Sequence, residues 1–106
     1  MTFPTETPIS SLPLQQRIIA ATCFHFGISE DALKTKANFR DVVYPKELCS
    51  FLLKENCNLS YARIAERLNY KNKSTIWEKV DKIRIHRKLY QPVANDLKKI
   101  SELALL

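Results

Sequence analysis

The sequence predicts an all-α domain of about six helices, and three observations lead to that prediction. Apolar residues recur at the 3.6-residue period of a helix in successive segments, and residues that cap or end helices separate those segments. No segment alternates polar and apolar residues for long enough to make a convincing strand; the nearest candidate, DVVY at 41–44, is too short to carry a sheet. A chain of 106 residues is long enough to bury one modest core.

The chain is predicted to begin with an arm and two helices. Residues 1–10 combine two prolines with threonine and serine, so we expect a flexible arm there and a single domain over 11–106. Ser11 can cap a first helix with Pro13 early inside it. Gly27 ends this helix because glycine adopts the left-handed conformation without a Cβ clash. Ser29 then caps a short second helix.

A loop and a third helix follow. The segment 34–44 is basic and only weakly periodic, which favours a loop. Pro45 suits the first turn of a helix, so a third helix is predicted over 45–56. A cation near a helix N-terminus opposes the helix dipole, so Lys46 would slightly destabilise the predicted helix unless an anion bound nearby. A DNA phosphate could supply that anion.

The second half is predicted to contain a helix pair and a last helix. A serine can cap a fourth, short helix over 60–68, a turn follows at 69–73, and a fifth helix runs over 74–89. The last helix is predicted from Pro92 to the region of 105. Two short helices joined by a tight turn, the second one basic, make the helix-turn-helix arrangement, here over 60–89.

The positive charge of the chain is concentrated on this helix pair. The segment 71–88 holds seven basic residues against two acidic ones, a net +5 of the chain's formal +6. An apolar stripe of Ile76, Val80 and Ile83 is predicted to face the core. The polar residues predicted to face away are Ser74, Thr75, Glu78, Lys79 and Lys82. The second helix of such a pair can lie in the major groove of DNA, with its first residues at base edges and its flanks at phosphates.

Composition argues against several other classes of protein. The single glycine makes a phosphate-binding loop very improbable, because such loops need several glycines. No apolar run reaches the length of about 18 residues that a membrane span needs, and the N-terminus lacks a secretory pattern. We therefore expect a cytoplasmic protein with no membrane partner. No grouping of residues suggests a catalytic site, so we expect no enzyme.

The cysteines and histidines give no metal-site pattern. Cys23, Cys49 and Cys57 contain no CxxC spacing, and neither His25 nor His86 stands at ligand spacing. We expect the cysteines to be small core residues in a reducing compartment, and we expect no metal and no cofactor.

At the helix pair the sequence resembles a known family, the C-terminal DNA-binding domain of the bacterial replication initiator DnaA. That family shows SLxxIG and then FGGRDHTTV, and this chain reads SYARIAERLNYKNKSTIWEKVDKI over 60–83, in step without a gap. Upstream, the family's SKxRxxxVxxPRQ is similar to TKANFRDVVYPKEL here. The resemblance covers roughly 15–90 and implies a Trp-repressor-like, all-α fold that binds double-stranded DNA.

The resemblance also implies site residues. A basic-loop arginine of the family enters the minor groove, and Lys36 and Arg40 are the two nearest equivalents. The family's base-reading RDHTTV aligns with KNKSTI over 71–76, where Asn72 replaces aspartate and Lys73 replaces histidine. Since asparagine prefers adenine and lysine prefers guanine, a different target sequence is expected. The complete set of predicted DNA contacts is Lys36, Arg40, Lys46, Tyr61, Lys71, Asn72, Lys73, Ser74, Thr75, Lys79 and Lys82.

Other interpretations stay open at this point. The altered signature and the added last helix, with its tail SELALL, also suit a protein-interaction adaptor or a homodimer formed through the C-terminal helix. RNA binding is a third option, although no aromatic platform on a sheet is predicted. Trp77 could stack on a base, but its place beside the inward stripe favours packing against the protein.

Overall fold

The computed structural model of the chain describes residues 12–35, 40–70 and 75–105, and of Arg40 it describes only the backbone. These residues form six helices and no strand, which confirms the all-α prediction. The helices are α1 (Leu14–Phe26), α2 (Glu30–Leu33), α3 (Arg40–Cys57), α4 (Tyr61–Leu68), α5 (Ile76–Leu89) and α6 (Gln91–Ala104). The predicted flexible arm, 1–10, lies outside the described residues and stays a prediction.

The core is built around α3, which packs against α1, α4 and α5, while α6 packs across α1 and α5. Phe51 of α3 is 2% exposed and is among the largest fully buried side chains. Burying such a side chain contributes about 1.5–3 kcal/mol. Around it lie the other fully buried residues, including Ile18, Ile19, Leu48, Leu53, Ile64, Leu68, Ile76, Val80, Ile83 and Ile100. The core thereby fixes α5 to α3 along the apolar edge of α5.

Most helix ends follow the predicted local signals. Gly27 has φ 67° and ψ 34°, the left-handed conformation expected where α1 ends. The Ala32 N–H donates to Ser29 Oγ at 3.0 Å, so Ser29 caps α2 as predicted. At the start of α1 the N-cap is Pro13, whereas the sequence had suggested a start at Ser11 with Pro13 inside the helix.

The predicted loop over 34–44 is wrong in its second part. Residues 40–44 belong to α3, and Pro45 lies inside that helix instead of opening it. Proline has no N–H, so the helical hydrogen bond to the carbonyl of Asp41 is missing. Asp41 is an exposed residue of the first turn, so water can bond to that carbonyl instead. The extra turn buries Val42, which is 6% exposed. The carboxylate of Asp41 also suits the positive end of the helix dipole.

A polar cluster joins α1, α3 and α6. The Tyr44 hydroxyl donates to Asp96 Oδ2 at 2.7 Å, and His25 Nε2 lies 2.9 Å from Asp96 Oδ1. Burial, with the hydrogen bond to Asp96, raises the pKa of Tyr44. The ring of Phe26 packs edge-on against the ring of Tyr44, with centroids 5.7 Å apart. The last helix is thus held to the first and third by hydrogen bonds as well as by apolar packing.

The three cysteines are free thiols. Cys49 is fully buried, and burial raises its pKa to about 12. Cys23 is half-buried, and burial raises its pKa to about 11. Within 12–35, 40–70 and 75–105, no cluster of three or more His, Cys, Asp or Glu side chains could hold a metal ion. No helix of the described part is long and apolar enough to cross a bilayer.

Candidate nucleic-acid interface

The first helix of the pair, α4, has a defined cap at each end. The Arg63 N–H donates to Ser60 Oγ at 3.2 Å, which confirms Ser60 as the N-cap. Asn69 ends the helix with φ 57° and ψ 47°. Asparagine tolerates this left-handed conformation better than most residues with a side chain. The Tyr70 N–H then donates to the Ala65 carbonyl at 2.9 Å and satisfies one of the last helix carbonyls.

The turn is fastened to the rest of the domain through two side chains. Asn69 Nδ2 donates to the Lys34 carbonyl, the cap of α2, at 3.0 Å. The Tyr70 hydroxyl lies 3.1 Å from Ser50 Oγ on α3. Burial raises the pKa of Tyr70, so its hydroxyl stays protonated. These contacts fix where α4 ends and therefore restrict the direction in which the chain leaves for α5.

The second helix of the pair, α5, places its apolar stripe as predicted. Ile76, Val80 and Ile83 are each at most 1% exposed. Thr75, a predicted contact residue, is the N-cap of this helix, which the sequence had suggested would open at Ser74. Lys79 and Lys82 lie on the same helix but away from the stripe, with side chains 31% and 45% exposed.

These two lysines converge on a carboxylate that the sequence reasoning missed. Lys82 Nζ lies 2.5 Å from Glu47 Oε2, and Lys79 Nζ lies 3.7 Å from the same atom. Glu47 belongs to α3, and its side chain is only 5% exposed. Glu47 precedes Phe51 by one helical turn, and that spacing was the available signal that it faces inward.

Lys46 does not stand where the sequence placed it. Because α3 begins at Arg40, Lys46 lies past the first turn of the helix, and it is 6% exposed. Its Nζ donates to the Thr35 carbonyl at 2.8 Å and lies 4.4 Å from the centroid of the Tyr70 ring. Burial, and then the charge of Lys79, lower the pKa of Lys46. Lys46 therefore holds the turn and the segment before α3 together.

Trp77 is also placed differently from the prediction. It is 52% exposed, so the interpretation that it packs mainly in the core is wrong. The buried stripe of α5 is narrow, and Trp77 follows Ile76 by one residue, which rotates it to the edge of that stripe. An indole at such a boundary buries part of its ring and leaves the rest in water.

Arg84, on another flank of α5, is paired with acidic residues. Arg84 Nη2 lies 2.8 Å from Glu55 Oε1, and Arg84 Nη1 lies 3.4 Å from Asp81 Oδ1. Tyr61, the first residue of α4, is 36% exposed, and Lys54 Nζ lies 4.7 Å from the centroid of its ring. In the first turns of α5 the described cations are Lys79 and Lys82, while Arg87 and Lys88 lie in its last turn.

Several predicted contacts lie outside the described part of the chain, namely Lys36, Lys71, Asn72, Lys73 and Ser74. Arg40 is the first residue of α3, and only its backbone is described. The structure therefore brings Lys79 and Lys82 together, with Thr75 at the start of the same helix and Tyr61 at the start of α4.

A capped short helix, a left-handed turn residue and a longer helix with its apolar edge buried define the class of helix-turn-helix proteins. Comparison with known families agrees with this class. Residues 15–83 match the family described as the bacterial dnaA protein helix-turn-helix, and the chain belongs to that family.

The chain is also similar to curated proteins named chromosomal replication initiator protein DnaA. It is 32% identical to the one from Thermomicrobium roseum over 66 residues, which is 62% of this chain and 14% of that protein. It is 28% identical to the one from Gloeobacter violaceus over 89 residues, which is 78% of this chain and 20% of that protein. The one from Nostoc sp. is 25% identical over 89 residues. The chain thus spans at most about a fifth of the length of these relatives.

Proposed function

We propose that this chain binds double-stranded DNA, with the first turns of α5 in the major groove and the start of α4 against the backbone. Membership of a helix-turn-helix family supports the choice of partner. The observation that carries the proposal is the arrangement of α5. Its apolar edge is buried, while the Lys79 and Lys82 side chains lie on one flank, 31% and 45% exposed.

The proposed contacts combine described residues with those that only the sequence assigns. Lys79 and Lys82 neutralise phosphates, Thr75 stands at the base-facing end of α5, and Tyr61 contacts the backbone. The sequence adds Lys71 and Lys73 as cations, Asn72, Lys73 and Ser74 at base edges, and Lys36 or Arg40 in the minor groove. Lys46 is left out, because its ammonium is buried against Thr35 and Tyr70.

Salt dependence of binding to a random duplex tests the proposal. Engagement of about four to six phosphates makes log K fall against log salt with a slope near −4 to −5. Lys82→Gln removes one phosphate partner and should make the slope shallower by about 0.9. A mobility-shift titration over a series of salt concentrations measures both values. Lys98→Gln, on the exposed surface of α6, is the matched control and should leave the slope nearly unchanged. A slope near zero for the unchanged protein contradicts the proposal.

Sequence preference is a separate part of the proposal. Selection of bound duplexes from a random pool should recover a preferred site, and Asn72→Ala should change the preference among sequences more than the affinity for random DNA. DNA binding needs no catalytic group, so we infer a non-enzymatic role, and we place it in the cytoplasm where bacterial DNA lies.

A second candidate function is protein association, and one observation favours it. In the C-terminal part of α5, Ile85 is 49% exposed and Leu89 is 67% exposed. Tyr90, which follows α5, is 53% exposed, and Leu105, which follows α6, is 57% exposed. Exposed apolar side chains of this size are common at protein contacts. Sedimentation of the purified chain tests a homodimer: a dimer that Leu89→Glu converts to a monomer, without any shift of random duplex, favours this candidate over DNA binding.

A further inference from the structure

Glu47 is a buried acidic residue directly beside two of the lysines that the proposed function assigns to DNA. Its side chain is 5% exposed, and its Oε2 lies 2.5 Å from Lys82 Nζ and 3.7 Å from Lys79 Nζ. Two ammonium groups thus share one carboxylate. The cluster carries a net charge of +1, although the sequence alone suggests +2 at these positions.

The carboxylate cannot easily give up its partners. Breaking a buried ion pair leaves an uncompensated charge in a medium of low dielectric, which is strongly unfavourable. An ammonium group has three N–H donors, however, and both lysines keep an exposed side. A phosphate therefore binds the lysines as an additional partner while Glu47 remains paired, and it meets the field of the whole cluster.

We propose that Glu47 is a positioning residue that weakens sequence-independent DNA binding. It holds Lys79 and Lys82 in place, and it offsets one unit of their positive charge toward phosphate. The inference rests on the proposed function, since it assumes that these lysines face DNA. The proposed function names only residues that favour DNA binding, and Glu47 is a residue of the same surface that weakens it.

The decisive variant is Glu47→Gln, which keeps the shape of the side chain and removes its charge. The affinity of the full chain for a random duplex at low salt should rise about three- to tenfold, because one unit of lysine charge is no longer offset and acts on nearby phosphates. The slope of log K against log salt should become steeper by about 0.9. Glu47→Asp keeps the charge but shortens the side chain by one methylene, so its slope should change by much less than that of Glu47→Gln.

A matched control removes an equal charge elsewhere on the same helix. Glu55 lies on α3, about 12 Å farther along the axis, and pairs with Arg84 at 2.8 Å. Glu55→Gln changes the net charge of the chain by the same amount as Glu47→Gln. Its effect on the slope should be well below that of Glu47→Gln if the effect comes from the cluster rather than from net charge.

A second pair of variants tests the inference if Glu47→Gln does not fold. If Glu47→Gln is unfolded by circular dichroism, the double variant Glu47→Gln with Lys82→Gln removes both partners of the pair. It is compared with Lys82→Gln alone, and the two differ only in the charge of residue 47. The double variant should again show a slope steeper by about 0.9.

The outcomes are distinct. A steeper slope with higher affinity for random duplex, seen for Glu47→Gln and not for Glu55→Gln, supports the inference. An unchanged slope, a loss of affinity, or an equal effect of Glu47→Asp overturns it. If the unchanged protein shifts no duplex at low salt, the proposed function itself fails, and that result is separate from any difference between the variants.

Discussion

The left-handed turn residue Asn69 gives a prediction whose size follows from two structural features, its backbone conformation and its side-chain hydrogen bond. Asn69→Ala places a Cβ-bearing residue without a compensating side chain at φ 57°, which costs about 1–2 kcal/mol. It also deletes the hydrogen bond from Asn69 Nδ2 to the Lys34 carbonyl, worth about 0.5–1.5 kcal/mol. The expected loss in the free energy of unfolding is therefore about 1.5–3.5 kcal/mol.

Asn69→Gly separates the two contributions. Glycine adopts the left-handed conformation without strain, so only the hydrogen bond is lost, and the expected cost is about 0.5–1.5 kcal/mol. Thermal unfolding followed by far-ultraviolet circular dichroism measures both variants. For a domain of this size, Asn69→Ala should lower Tm by about 7–16 °C, and Asn69→Gly should lower it by roughly half as much or less.

The comparison between the two variants decides the matter. If Asn69→Gly is as destabilising as Asn69→Ala, the backbone conformation is not what asparagine supplies at this turn. If neither variant changes Tm, the contact with the cap of α2 does not hold the helix pair in place, and the argument that α4 directs the chain toward α5 is refuted.

Three further predictions concern the residues that hold the helices. Ser60→Ala should lower the free energy of unfolding by about 1 kcal/mol in urea titrations, because the Arg63 N–H loses its cap. Tyr44→Phe should cost about 1–2 kcal/mol by the same measurement, since it removes the donor to Asp96, while Tyr61→Phe at an exposed phenol should change little. Lys46→Met should cost about 0.5–1.5 kcal/mol at neutral pH, because it removes the hydrogen bond from Lys46 Nζ to the Thr35 carbonyl. The folded state lowers the pKa of Lys46 and releases that proton first as pH rises, so the unchanged protein gains stability relative to Lys46→Met and the cost should grow toward pH 10.5; an equal cost at both pH values contradicts the reasoning.

The parts of the fold that follow from neighbouring residues were predictable from sequence. Ser29 and Ser60 cap helices through an amide three residues later, and Gly27 ends α1 through its own backbone freedom. The stripe of Ile76 and Val80 follows from helical periodicity. Each of these features depends on chemistry within one or two helical turns, which the sequence displays directly.

The parts that depend on distant contacts were not predictable in this way. Proline is common in the first turn of a helix, which suggested that α3 begins at Pro45, but burial of Val42 favours a helix that starts earlier. Lys46 appeared basic and available, yet its ammonium is held by Thr35 and Tyr70, which come from other segments. In each case tertiary packing overrode a correct local preference.

The same distinction between local and distant contacts applies to the candidate site. The inward edge of α5 was predicted because it repeats along one helix. The charge that Lys79 and Lys82 present to a ligand was not, because it depends on Glu47 of another helix. A count of cations along the sequence therefore overestimates the positive potential of this surface.

The half-exposed Trp77 gives the protein an optical reporter of its own. The sequence contains one tryptophan, so the indole emission comes from a single place, the first turn of α5. Because much of that ring already faces water, emission should change only modestly when the chain unfolds and more strongly when a ligand covers the helix. Fluorescence of the unlabelled protein can therefore follow occupancy of this helix directly, while unfolding is better followed by its backbone signal.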